Sequence, residues 1–227
     1  MHVVRIVASV AVLASIAAAQ QLVSFPTEDD GLIYADLYGK GKRGVVLAHG
    51  GRFNRGSWSK QAEALAAGGF RAVAIDLRGE GQSHGGNGQS REDDRRLDVL
   101  AAVHYLRKTG ATFVGVVGGS MGGDYACEAA EAEPAAIDRI VLLGSGAYTP
   151  LVHMKGPKLF ILARDDANDA GPRLPKIRAQ YEKALGPKEL IVLDGSAHAQ
   201  FLFQTDQGDR VMREILRFLT SSTAPRE

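Results

Sequence analysis

Short apolar runs typical of buried strands alternate with longer amphipathic segments along almost the whole chain. This alternation is typical of an α/β fold, in which a mostly parallel sheet is covered by helices on both faces. The predicted strands lie at 22–25, 32–37, 44–48, 71–77, 112–117, 139–143, 158–163 and 189–193, the first two forming a hairpin. The predicted helices lie at 58–67, 91–108, 124–132, 174–185 and 210–220.

The length of the chain favours one domain over two. Its 227 residues, 45% of them hydrophobic and 23% charged, suffice for one sizeable core but are few for two complete domains. The formal net charge of +1 is spread without long basic runs, which argues against nucleic acid as a partner. We therefore predict a single domain at residues 20–227.

The first 19 residues have the pattern of a secretory signal peptide. A single cation, Arg5, precedes the apolar run Ile6 to Ile16, and Ala17 to Ala19 offer a cleavage site of small residues. The apolar run is too short for a comfortable membrane span, which needs about 20 residues. We predict a secreted or periplasmic protein with no stable membrane span in its mature form, the alternatives being an uncleaved anchor or simply a first helix.

A serine lies in a glycine-rich turn between a predicted strand and a predicted helix. The segment Gly118 to Gly123 reads Gly-Gly-Ser-Met-Gly-Gly, so Ser120 has glycine two positions before and two positions after it. A tight strand-to-helix turn needs nearly side-chain-free flanks, and it projects the serine hydroxyl beyond the sheet edge. The amide of Met121, at the start of the helix, can then point at a developing oxyanion. We predict Ser120 as a nucleophile, although the bare motif also occurs by chance in glycine-rich chains.

A serine nucleophile needs a histidine to accept its proton. His198 follows the predicted strand 189–193 through a short loop, at the strand end where open α/β sheets place their sites. His49 also follows a strand, but Gly50 and Gly51 after it suit the shaping of a turn better. The remaining histidines lie in the signal segment, a glycine-rich loop, a helix and a short connector, respectively His2, His84, His104 and His153. We predict His198 as the general base.

The histidine in turn needs a carboxylate that holds it in the useful tautomer. Asp165, Asp166 and Asp169 all follow the predicted strand 158–163 at its carboxyl end. We select Asp166, which stands three residues after the last apolar position of the strand, with Asp165 as the alternative. Any of the three could instead cap the following helix or face water.

Taken together, these segments resemble the α/β-hydrolase family, and the resemblance covers nearly the whole chain after residue 19. The matching segments, in chain order, are Leu47–Gly51, Asp76–Ser83, the Ser120 turn, Ala163–Asp166 and Gly195–His198. The resemblance implies an α/β-hydrolase fold and a second oxyanion amide from the turn after the third strand, here Gly51 or Arg52. It implies no metal and no organic cofactor.

Many members of this family insert a helical lid after the strand that follows the serine helix. Here only Gly144 to Gly156 connects that strand to the next one, so we expect no lid domain and an open pocket, lined by some of Arg52, Phe53, Tyr148 and His153. The similarity to lidless, dienelactone-hydrolase-like members and small serine carboxylesterases implies a small-molecule ester as substrate. Peptidase, thioesterase and acyltransferase activities on the same triad remain alternatives, as does a non-catalytic binding protein of the same fold.

Overall fold

The computed structural model describes residues 20–86 and 94–221. Within these ranges the strands are β1 (Gln21–Pro26), β2 (Leu32–Tyr38), β3 (Arg43–Ala48), β4 (Phe70–Ile75), β5 (Phe113–Gly119), β6 (Arg139–Leu143), β7 (Lys158–Ala163), β8 (Ala167–Asn168), β9 (Gly171–Pro172) and β10 (Lys188–Leu193). The α-helices are α1 (Ser59–Ala67), α2 (Arg95–Lys108), α3 (Met121–Ala132), α4 (Arg173–Lys183) and α5 (Gly208–Thr220). Two short 3₁₀ helices lie at Arg55–Trp58 and Ala199–Gln204.

Eight of the strands form one sheet in the order β1-β2-β4-β3-β5-β6-β7-β10. The strands from β4 to β10 in that order run parallel, while β1 pairs antiparallel with β2 and β2 antiparallel with β4. The central strands have almost no exposed residue, as expected for strands that are covered on both faces. The predicted mostly parallel sheet, opening with a hairpin, is confirmed.

Helices bury apolar side chains against each face of the sheet. On one face, α2 and α3 contribute residues such as Val99, Val103 and Ala126 to a core cluster. On the other face, α1 and α5 contribute residues such as Leu65 and Phe218 to a second cluster. This second cluster includes Trp58, which is fully buried and packs edge-on against Phe203 with ring centroids 5.9 Å apart.

The boundaries differ from the predicted ones at several places. The helix after the serine begins at Met121 rather than Asp124, because Gly122 and Gly123 already have helical backbone in the crowded turn. The fourth strand ends at Ile75 rather than Leu77. The first residues of the predicted helix 91–108 and the predicted signal segment 1–19 lie outside the described residues.

The connection between β6 and β7, residues 144–157, contains bends and irregular backbone but no helix. The expectation that no lid is inserted at this point is therefore confirmed. Across residues 20–86 and 94–221, no helix combines the length and the apolar character that a membrane crossing requires.

Candidate active site

Ser120 lies between β5 and α3 in a strained backbone conformation. Its φ of 49° and ψ of −122° are values that non-glycine residues rarely adopt. A Cβ added to Gly118 would lie 2.4 Å from the Cα of Gly123, and one added to Gly122 would lie 2.5 Å from the carbonyl oxygens of Ala48 and His49. Both positions therefore need glycine for the close approach of backbone, which supports the turn geometry that the sequence pattern predicts.

Three of the predicted site residues are joined by hydrogen bonds. His198 Nε2 lies 2.8 Å from Ser120 Oγ, and His198 Nδ1 lies 2.7 Å from Asp166 Oδ2. Because an ionised carboxylate can only accept, Nδ1 carries the ring proton and donates a hydrogen bond to Asp166, which leaves Nε2 as the acceptor for the serine hydroxyl. This tautomer is the one in which His198 can take a proton from Ser120.

The topology of the sheet explains why residues so far apart in sequence meet. Ser120 follows β5, Asp166 follows β7 and His198 follows β10, and all three strands run parallel. The carboxyl ends of parallel strands meet at one edge of the sheet, where α/β folds place their ligand sites.

Asp165 and Asp166, the two neighbouring carboxylates after β7, have different surroundings. Asp166 is 1% exposed and faces His198, whereas Asp165 is exposed to solvent. Arg173, at the start of α4, lies with Nε 3.3 Å from Asp166 Oδ1 and thus places a positive charge beside this buried carboxylate. The sequence did not predict a role for Arg173. It follows the short hairpin of β8 and β9, and no local sequence pattern there indicates a contact with Asp166. Asp169 lines the open cleft beside the triad.

The turn after β3 is built from Gly50 to Phe53. The Phe53 N–H donates to the Gly50 carbonyl oxygen at 3.0 Å, which closes the turn around Gly51 and Arg52. The Gly50 N–H donates to Gln200 Oε1 at 2.7 Å. Gly51 and Arg52, the two predicted candidates for the second oxyanion amide, are exposed and line the same cleft as Ser120.

The first oxyanion candidate is the amide of Met121. It is the first residue of α3, and the first N–H groups of a helix have no acceptor within the helix. They also lie at the positive end of the helix dipole, which favours negative charge nearby. An oxyanion formed at Ser120 can therefore meet a donor on the next residue.

His49 supports the turn after β3 rather than a proton transfer. It is fully buried, its Nδ1 donates to the Gly50 carbonyl oxygen at 2.9 Å, and its Nε2 accepts from the Leu77 N–H at 3.1 Å. Burial lowers the pKa of His49, which keeps the ring neutral. This arrangement agrees with the interpretation of His49 as a residue that shapes the turn.

Asp124 anchors the start of the connection between β6 and β7, beside His198 and Asp166. Its carboxylate accepts a hydrogen bond from the Gly146 N–H at 2.9 Å, and burial raises its pKa to about 6. The neighbouring Gly144 lies close to the triad, because a Cβ added there would be 3.0 Å from His198 Nδ1 and 3.1 Å from Asp166 Oδ2. Asp124 thus links α3 to the loop that lies beside Asp166 and His198.

Ser120 and His198 line a cleft of about 480 Å³. Arg52, Phe53 and Phe201 line it, and the two phenylalanine rings lie 4.9 Å apart between centroids. The expected lining is wrong for the other two residues: Tyr148 is 65% exposed away from the cleft, and His153 pairs with Glu131 on the surface. No group of three or more potential metal ligands clusters within the described ranges.

Comparison with known proteins places these observations in context. A family model described as alpha/beta hydrolase fold matches residues 44–225. A 2-hydroxy-6-oxononadienedioate/2-hydroxy-6-oxononatrienedioate hydrolase of Pseudomonas putida is 34% identical over 128 residues, which is 54% of this chain and 44% of that protein. The chain thus spans less than half the length of this curated relative.

Solved structures resemble the whole described fold. An esterase from Pyrococcus furiosus superposes with a TM-score of 0.72 at 22% identity, covering 89% of this chain and 94% of that one. A dienelactone hydrolase from Anabaena variabilis gives a TM-score of 0.72 at 21% identity, covering 89% of this chain and 97% of that one. At this level of identity the similarity concerns the fold.

Proposed function

The chain belongs to the α/β-hydrolase fold family, and we propose that it is a serine hydrolase that cleaves small or accessible esters through an acyl-enzyme intermediate. The observation that carries the proposal is the continuous hydrogen-bond chain from Ser120 through His198 to Asp166. A nucleophile, a base and an orienting carboxylate in this order suit acyl transfer.

In the first half of the proposed reaction, Ser120 Oγ attacks the ester carbonyl carbon while His198 Nε2 takes the hydroxyl proton. The carbonyl oxygen becomes an oxyanion and accepts hydrogen bonds from the amide of Met121 and from that of Gly51 or Arg52. His198 then donates its proton to the departing alcohol oxygen, which leaves the acyl group bound to Ser120.

In the second half, His198 accepts a proton from water as the water oxygen attacks the acyl carbon. The same amides hold the second oxyanion, and His198 returns the proton to Ser120 Oγ as the carboxylic acid leaves. Asp166 stays ionised throughout and stabilises the His198 imidazolium that forms twice in the cycle.

The open cleft supports small or surface-accessible esters as substrates. No helix covers the cleft from the β6–β7 connection, so a long acyl chain would find little apolar surface beyond the cleft lining itself, which includes Phe53, Phe201 and Met121. Arg52 at the rim also keeps acidic esters among the candidates. The names of the structural neighbours, an esterase and a dienelactone hydrolase, agree with this substrate class.

Ser120→Ala tests the proposal. Pure mutant protein should keep its fold, measured by circular dichroism, while hydrolysis of nitrophenyl acetate falls by about 10⁴- to 10⁶-fold. Ser196→Ala is the matched control, because Ser196 is an exposed serine two residues before His198. A fluorophosphonate probe should label wild type and the control but not Ser120→Ala. Retention of more than about a tenth of wild-type turnover by the mutant would remove Ser120 from the mechanism.

Export of the protein and one domain at residues 20–227 stay predictions. Expression of the full chain in a bacterial host, followed by mass measurement of the protein recovered outside the cytoplasm, would test both export and cleavage after Ala19. Recovery of the intact chain from the membrane fraction would favour the uncleaved anchor instead.

A further inference from the structure

Gln200 is a buried amide that contacts three parts of the site. It is 3% exposed, lies two residues after His198 and belongs to the 3₁₀ helix Ala199–Gln204. Its Oε1 accepts from the Gly50 N–H at 2.7 Å, and its Nε2 donates to Ser57 Oγ at 2.6 Å. The Gly50 N–H needs an acceptor, so the oxygen of the amide faces the turn after β3.

These two hydrogen bonds hold both ends of one short segment. Gly50 is the first residue of the turn that contains Gly51 and Arg52, and Ser57 lies at the far end of the segment, in the 3₁₀ helix Arg55–Trp58. Ser57 Oγ in turn donates to the carbonyl oxygen of Asn54 at 2.6 Å. A single side chain thus ties the start of the turn to its exit.

Gln200 also packs against the strand that carries the nucleophile. A Cβ added to Gly119, the residue before Ser120, would lie 3.1 Å from Gln200 Oε1, so the amide fills the space beside the end of β5. Ala199, between His198 and Gln200, has a φ of 49°, a conformation that costs an alanine free energy. This strained residue connects His198 to Gln200, so its conformation determines the position of one side chain relative to the other.

We propose that Gln200 is a positioning residue of the oxyanion hole, an inference that rests on the proposed function. By accepting the Gly50 N–H, Gln200 removes that amide from the candidates and fixes the orientation of the turn. The Phe53 N–H is already bonded to Gly50, so the amides left to receive the substrate oxygen are those of Gly51 and Arg52. Gln200 therefore acts on the reaction through the backbone and does not touch substrate.

Gln200→Leu removes both hydrogen bonds at nearly constant volume, and Ser57→Ala removes one of them at a less buried position. Gln204→Leu is the matched control, because Gln204 is an exposed glutamine at the end of the same 3₁₀ helix. For each protein we would measure kcat/KM on nitrophenyl acetate per active site, counted by fluorophosphonate labelling carried to completion. We would also measure the affinity for an alkylboronic acid, whose tetrahedral adduct with Ser120 places an oxygen in the hole, and the Tm.

We expect Gln200→Leu to lower kcat/KM by about 10- to 100-fold, less than or equal to the loss caused by deleting an oxyanion donor. The affinity for the boronic acid should fall by a similar factor, since both quantities report on the oxyanion. Ser57→Ala should shift both in the same direction by about 2- to 5-fold. Gln204→Leu should leave both at the wild-type level.

A purely structural role predicts a different result, in which Gln200→Leu lowers the Tm and the labelled fraction while kcat/KM per labelled site stays at the wild-type value. That result overturns the proposal. If Gln200→Leu fails to fold, Ser57→Ala decides in the same way, and unchanged boronic acid affinity in that variant overturns the proposal.

A wild-type protein that neither hydrolyses esters nor reacts with the fluorophosphonate would refute the proposed function, and the role of Gln200 would fall with it. Active wild type with unaffected variants would refute the role of Gln200 alone.

Discussion

Asp165 and Asp166 are adjacent in sequence, yet only Asp166 faces the triad histidine. Asp166 Oδ2 lies 2.7 Å from His198 Nδ1, whereas the exposed Asp165 donates its backbone N–H to the Gly195 carbonyl oxygen. An amide at position 166 would present an N–H₂ or a weaker acceptor to the ring and favour the wrong tautomer. The two residues therefore form a natural matched pair for mutation.

Asp166→Asn should lower kcat by up to about 10⁴-fold with little change in fold, by analogy with the acid of other serine triads. Asp165→Asn should stay within about threefold of wild type, because its side chain has no partner in the triad. Steady-state kinetics on one neutral ester would measure both. The reverse order of activities would show that the acid is Asp165, and two mild effects would point to Asp169.

Among the elements, α3 follows the Ser120 turn and carries a carboxylate that is a weaker acid than usual. Asp124, in the first turn of α3, has its pKa raised from 3.8 to about 6 by burial, although hydrogen bonds from Gly146 and Ala147 and the charge of Arg173 oppose this rise. The folded state therefore binds more protons than the unfolded state between about pH 4 and pH 6. The contribution of Asp124 to stability is fully present below that interval and is lost as the pH rises through it.

Asp124→Asn should consequently stabilise the protein at neutral pH by about 3 kcal/mol, since asparagine keeps an acceptor for the Gly146 N–H without a buried charge. The gain should shrink toward zero below about pH 4, where Asp124 is protonated in both states. Urea unfolding of both proteins from about pH 4 to neutral pH measures the difference in their free energies of unfolding. Burial also raises the pKa of Asp98, but this residue is present in both proteins, so its effect cancels in the difference. A mutant less stable than wild type at neutral pH would mean that attraction to Arg173 outweighs the cost of burial.

The β6–β7 connection leaves the cleft uncovered, and this limits the binding free energy that a long acyl chain can gain by leaving water. Each methylene contributes about 0.8 kcal/mol only if it leaves water, so specificity should peak at short acyl chains. Measuring kcat/KM for nitrophenyl esters with roughly two to sixteen acyl carbons would trace this dependence. A steep rise toward the longest esters, or a jump in rate above the solubility limit of the substrate, would contradict an open site.

At the scale of the whole molecule, the sequence predicts where the main strands lie and that they run parallel. It does not predict which strands are neighbours in the sheet. Runs such as Phe113–Gly119 contain no charged side chain and have a helical segment on each side, which identifies parallel strands without giving their order. Residues that follow such strands, including Asp166 and His198, could be predicted as a group because parallel strands end at one edge. The short hairpin of β8 and β9 was not predicted, since two-residue strands carry no periodicity.

The residues that sequence reasoning missed act through partners far away in the chain. Gln200 is hydrogen-bonded to Gly50, which lies 150 residues earlier in the sequence. Arg173 pairs with Asp166, whose own role depends on His198. An amide in a polar loop has no pattern that distinguishes a buried clamp from a surface residue. Its role appears only after the loop following β10 has docked on the turn after β3.

That docking has a built-in optical reporter. The chain contains one tryptophan, Trp58, and its buried indole contacts Phe203, so that this ring pair joins the 3₁₀ helix Arg55–Trp58 to the 3₁₀ helix that contains Gln200. Separation of these helices would expose the indole to water and move its fluorescence emission to longer wavelength. The emission of the unlabelled protein should therefore report when the loop after β10 packs against the turn after β3 during refolding, without a dye or an added chromophore.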